Sequence, residues 1–166
     1  MTVDHLVSLQ IRRPLRTSVQ VARRCHLGLP VVVVCPPRLD DGTPFPTRYW
    51  LTCPVARAQV AWLEAGGGVA RARRWVEADP RRQEALQEAH ARHRRERDRA
   101  LGPEGGPRPE GGIGGTRAPH GIKCLHAHLA DHWAGHPSPV GEWVAGQLPP
   151  PACEEPCVPE RPSPSR

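Results

Sequence analysis

Thirty-two Leu, Ile, Val and Phe residues, about 19% of the chain, are what this sequence offers for a core, and their placement decides what it can fold into. That share sits near the level at which chains stay disordered. The residues are unevenly spread, however. Two Pro- and Gly-rich stretches, 102–112 and 149–166, hold almost none of them, so the rest is rich enough for a modest core. One domain is expected over residues 4–148, with 102–112 as a flexible loop inside it and 149–166 as a disordered Pro-rich tail. No stretch approaches the roughly 20 apolar residues of a membrane helix, so no membrane insertion is expected. Asp4, His5 and Gln10 interrupt the apolar residues at the start, which does not read as a signal peptide. A cytoplasmic protein is expected, with its six cysteines reduced and serving as core, metal-binding or reactive thiols.

Local patterns predict strands before helices. Residues 4–11 suit a short helix ending ahead of Pro14. Val19 and Val21 alternate as in a half-buried strand, Val31, Val32, Val33 and Val34 suit a central one, and residues 48–52 form a third. Asp40-Asp41-Gly42 marks a turn. Pro54 opens a helix that Gly66, Gly67 and Gly68 stop, and Asp79-Pro80 opens another reaching about Leu101. Ile122, Leu125, Leu129 and Trp133 mark a further helix, and 140–148 a last short one. The order predicts an α+β fold: a small antiparallel sheet of about three strands packed by several helices.

The chain has 22 Arg, a single lysine (Lys123) and no Asn, the mark of a GC-rich coding sequence. Ile11, Phe45, Tyr49, Ile113, Ile122 and Lys123 run against that bias, and five of these six fall in two windows, 45–49 and 113–123. A resemblance rests on segments in these windows and elsewhere along the chain. Arg24-Cys25 with Gly28 and Pro30, Asp41-Gly42-Thr43-Pro44-Phe45-Pro46-Thr47, Tyr49-Trp50-Leu51-Thr52-Cys53-Pro54 and Leu63-Glu64-Ala65 are the first segments. Gly114-Gly115 and Gly121-Ile122-Lys123-Cys124-Leu125-His126-Ala127-His128-Leu129-Ala130 complete it. Over roughly residues 5–147 the sequence resembles domain-of-unknown-function family 501, a bacterial family common in actinobacteria. The resemblance implies a shared fold and motif set, and no activity. One departure is Ser138, where the family tends to have Asn.

The Cys/His segment carries the candidate chemistry. With about 100° per helical residue, Ile122, Leu125, Leu129 and Trp133 form the buried stripe. Cys124 and His128, at i and i+4, then share another face, while His126 and Lys123 lie elsewhere. Thiolate and imidazole are zinc's preferred ligands, and a closed site needs four. Cys25, Cys53, Cys124 and His128 are the candidate metal set, with His90 and His93 as further donors. This favours a zinc-class Cys/His domain with a structural or regulatory role. A second reading is an enzyme acting on a small anion. Cys53 at a helix N-terminus would be the activated thiol, His126 its base and Lys123 the anion contact. A third is an adaptor for a protein partner or nucleic acid through the Arg-rich helix. There, ten Arg face six acidic residues between Arg71 and Arg99. The interleaved acids and the lack of a stacking motif make nucleic acid a poor fit. Cys153 and Cys157, a C-x-x-x-C pair in the tail, support nothing alone.

Overall fold

A computed structural model describes residues 1–103, 106–150 and 152–158. Three antiparallel strands, β1 (Gln20–Arg24), β2 (Pro30–Val34) and β3 (Tyr49–Leu51), form a sheet in the order β1-β2-β3. Val33 pairs with Val21 on one side and Trp50 on the other, and the β1–β2 register is irregular between Val21 and Arg24. The β-branched run falls on the middle strand because both faces of that strand are covered. Val33 joins Val7 and Ile11 of helix α1 (Val3–Ile11), whereas Val32 joins the larger core under the remaining helices. The expected α+β architecture is the one observed.

Helices follow: α2 (Pro54–Ala65), α3 (Gly68–Glu77), α4 (Pro80–Leu101), α5 (Leu125–Trp133) and α6 (Pro139–Gln147), with a 3-10 turn at Ile113–Gly115. Asp79 accepts a hydrogen bond from the Arg81 amide, with Pro80 at the first turn of α4, as the dipeptide predicts. Among the described residues no helix is long and apolar enough to cross a membrane.

Two boundaries differ from expectation. The glycine triplet stops α2 but also starts α3, a helix the sequence reading lacks. Gly67 takes φ 79°, which turns the chain, and a Cβ on Gly68 would stand 2.5 Å from the Leu63 carbonyl oxygen. The corner is thus too tight for a side chain there. The second difference is at α5, which begins at Leu125 instead of Ile122. Cys124 is extended (φ −147°, ψ 147°) and caps the helix, its Sγ accepting the Ala127 amide at 3.4 Å.

α5 packs closely on α6, and the contact is set by Gly141. A Cβ there would lie 2.2 Å from the His128 carbonyl oxygen and 2.5 Å from His132 Cβ. Gly141→Ala is therefore expected to lower stability by about 2–3 kcal/mol in chemical denaturation. A loss below about 0.5 kcal/mol would contradict so close an approach. Ser138 caps α6 by accepting the Gly141 amide, and Ser and Asn cap about equally well. The departure at 138 therefore keeps the local chemistry.

The tail was expected to be disordered from 149. Its residues 159–166 lie outside those described, while 152–158 carry no regular structure but touch the domain. His26 Nε2 donates to the Cys153 carbonyl at 2.8 Å, Gln10 Nε2 reaches Cys157 Sγ at 3.6 Å, and Val158 is buried.

Candidate metal centre

The start of α5 meets the last turn of α2. Glu64, one residue before the end of α2, sits where a carboxylate opposes the helix dipole. It is held there by a partner: Oε1 accepts the Leu125 amide at 2.6 Å, one of the free N–H groups opening α5. His126 stands beside it, with Nδ1 3.2 Å from Glu64 Oε1 and Nε2 3.1 Å from the Arg57 carbonyl. A carbonyl can only accept, so Nε2 carries the proton. Nδ1 then faces Glu64 and Cys124 either as a second N–H or as a free lone pair. Glu64, Cys124 and His126 each offer a ligand atom within 4.8 Å of the other two, and all three are half-buried.

The electrostatics follow from this packing. Burial pulls the His126 imidazole down, but the Cys124 thiol, the Glu64 charge and the Arg57 carbonyl outweigh it, and the pKa is held above the usual value. An environment that favours a proton on Nδ1 also favours another cation there. A backbone carbonyl on the distal nitrogen is the support that metal-bound histidines commonly have, since it orients the ring and raises its basicity.

The sequence-based candidates are divided among several places. Cys25 and Cys53 line one small pocket between the β1–β2 turn and the start of α2. Cys124 lies with His126 and Glu64. His128 is in the core, fully buried, its ring 5.7 Å from that of His90 and both its nitrogens without a hydrogen bond among the described residues. The helical wheel placed Cys124 and His128 on one face. Because α5 starts at Leu125, Cys124 leaves the helix and the pairing is lost. His90 and His93 are spent on backbone carbonyls, of Gly121 and Pro46 respectively.

Cys53, His126 and Lys123 face three different cavities. Cys53 lies in the pocket with Cys25, and His126 in a surface depression with Pro54 and Arg57. Lys123 lines an open cleft, where its Nζ donates to the Gly115 carbonyl at 3.0 Å. Pro44, Pro46, Gly114 and Gly115 line that cleft too, so the two compositional windows meet there. The expectation of an acidified Cys53 is reversed: burial raises its pKa, and the amides at the start of α2 recover only part of the shift.

Many arginines between 71 and 99 bond to the chain's own carbonyls and carboxylates. Arg71, Arg73, Arg82 and Arg97 donate to the carbonyls of Gly66, Ile122, Trp75 and Gly111. Arg92 and Arg95 bond to Asp131 and Glu88. Six of the ten thus tie the chain to itself, though Arg71, Arg73 and Arg95 stay exposed and only Arg97 is buried.

Sequence reasoning did not propose Glu64 as a ligand. Its signal was an acid in the last turn of a helix, unfavourable unless something nearby compensates.

A family model described as a protein of unknown function (DUF501) matches residues 21–146. No curated protein and no solved structure matches the chain.

Proposed function

The chain belongs to the DUF501 family, which brings no activity with it, and we propose from the site itself that it is a metal-binding domain in which Glu64, Cys124 and His126 hold a zinc-class divalent cation. The observation that carries this reading is the gathering of three different donors from α2 and α5 within 4.8 Å, with His126 anchored through its other nitrogen. A set of one thiolate, one imidazole and one carboxylate suits zinc better than magnesium or calcium, which take oxygen ligands. Three protein ligands leave a fourth position for water or a partner's side chain. The ion would join the end of α2 to the start of α5, a structural or regulatory role. Thiol catalysis by Cys53 is the weaker reading, because burial keeps that thiol protonated.

Competition with a chromophoric chelator would measure zinc affinity in the full chain. Cys124→Ser keeps a capping residue at the start of α5 and removes the soft ligand. Affinity at this site is expected to fall by more than about 100-fold, since even supporting residues around a metal are worth 10–100-fold. Glu64→Gln keeps an acceptor for the Leu125 amide and should weaken binding less. With Cys153 and Cys157 also replaced by Ser, so that tail thiols cannot hold the ion, zinc affinity unchanged in both variants would refute the assignment.

A further inference from the structure

Four of the six cysteines surround one pocket, and two of them come from the tail. Cys25 opens the tight turn between β1 and β2, its carbonyl accepting the Gly28 amide at 3.0 Å. Cys53 caps α2 and is 8% exposed. Cys153 and Cys157 line the same pocket, together with Gln10, His26 and Trp133. The space between these residues is about 30 Å³, room for one or two waters or a single ion.

We propose that Cys25, Cys53, Cys153 and Cys157 form a second, all-thiolate site for one zinc-class cation, which pins residues 152–158 against the sheet. Three features support it. Thiolates are the strongest protein ligands for soft and borderline cations, and four of them close a tetrahedral site. Cys153 and Cys157 are separated by three residues, within the spacing that lets two cysteines reach one zinc ion. Cys25 and Cys53 are fixed by a turn and a helix cap, whereas the tail has no regular structure and can adapt.

Zinc–sulfur bonds of about 2.3 Å put tetrahedral sulfurs about 3.8 Å apart. Among the described residues, only Glu64, Cys124 and His126 bring three ligand atoms within 4.8 Å of one another. The four sulfurs are gathered but not closed up, and loading the site draws the tail inward. Each thiol that binds gives up its proton to solvent.

Cobalt(II) is a suitable probe, because sulfur-to-cobalt charge transfer and tetrahedral ligand-field bands grow with the number of thiolates. The reduced full chain is titrated with Co²⁺ alone. One equivalent should develop a tetrathiolate spectrum that Cys124→Ser leaves intact. Cys153→Ser/Cys157→Ser should remove it, and so should Cys25→Ser, a change in the domain proper. This pattern separates the site from the Glu64–Cys124–His126 centre, whose loss would follow Cys124→Ser instead. A tetrathiolate spectrum surviving in the tail variant overturns the proposal. So does a spectrum abolished only by Cys124→Ser. Absence of any such spectrum, with free thiols disappearing in pairs under a low-molecular-weight disulfide, overturns it in favour of a redox latch.

Discussion

Asp131→Ala is expected to lose about 3–5 kcal/mol of stability. The Asp131 side chain is 1% exposed and Arg92 is 15% exposed, with Arg92 Nη2 2.5 Å from Oδ2 and Nη1 3.2 Å from Oδ1. His93 Nδ1 stands beside the same carboxylate, 3.7 Å from Oδ1. Burial alone would raise the Asp131 pKa, but His93 and Arg92 outweigh it and hold the carboxyl below its usual value. Removing the carboxylate leaves a largely buried guanidinium with Glu96, at 3.4 Å, as its one remaining acidic partner among the described residues. The loss is therefore dominated by the abandoned charge, more than by the pair's net attraction. Arg95→Ala is the comparison: its bond to Glu88 joins side chains that are 57% and 66% exposed, and solvent screening leaves pairs of that kind with little effect on stability. Urea unfolding measures both. A loss below about 1 kcal/mol for Asp131→Ala would contradict this reading of the α4–α5 contact.

Mild acid should destabilise the fold well above the pH at which carboxylates titrate. His90 accepts the Ile113 amide on Nδ1 at 3.0 Å and donates from Nε2 to the Gly121 carbonyl at 3.0 Å, so the neutral ring fills both roles. Burial first, with Arg94 and His93 adding to it, lowers its pKa to about 4. Burial likewise lowers His128 to about 3, with His90 contributing. Folded-state values below the unfolded value mean that the unfolded chain binds more protons. The stability these residues contribute is therefore present above about pH 6.5 and is lost as pH falls toward 4 and 3. Each residue removes about 2 kcal/mol between pH 7.5 and 5, on the order of 3–4 kcal/mol together. His126 works in the opposite sense: its raised pKa gives stability below about pH 6.5 that fades as pH rises through the folded value. Urea midpoints from pH 7.5 to 5 test the balance. His128→Leu should flatten the acid limb by about half, whereas a profile level from 7.5 to 5 would contradict it.

The valine run, the Asp79-Pro80 cap and the Pro54 helix start were legible because each is a local instruction with one physical solution. What failed was phase. The periodicity of Ile122, Leu125 and Leu129 was real, but nothing local said that Cys124 would cap the helix and not enter it. That one residue put Cys124 beside Glu64 and left His128 in the core. The glycine triplet was read as a stop because glycine weakens helices. A corner so tight that only glycine fits is set by tertiary packing that sequence does not display. Of the compositional outliers in 45–49 and 113–123, Lys123 alone lines the cleft where Pro46 and Gly115 meet, while Phe45 lines a different pocket and Ile113 and Ile122 are buried in the core. Glu64 and the tail cysteines were missed because their neighbours are distant in the chain. Glu64 meets His126 across 62 residues, and His26 meets the Cys153 carbonyl across 127.

Zinc K-edge absorption on the Cys153→Ser/Cys157→Ser protein, loaded with one equivalent of zinc, isolates the centre at the start of α5. One sulfur at about 2.3 Å with nitrogen and oxygen neighbours at about 2.0–2.2 Å is the expected first shell. A shell of light atoms only, or zinc that passes through a desalting column unbound, would contradict a metal held by Glu64, Cys124 and His126.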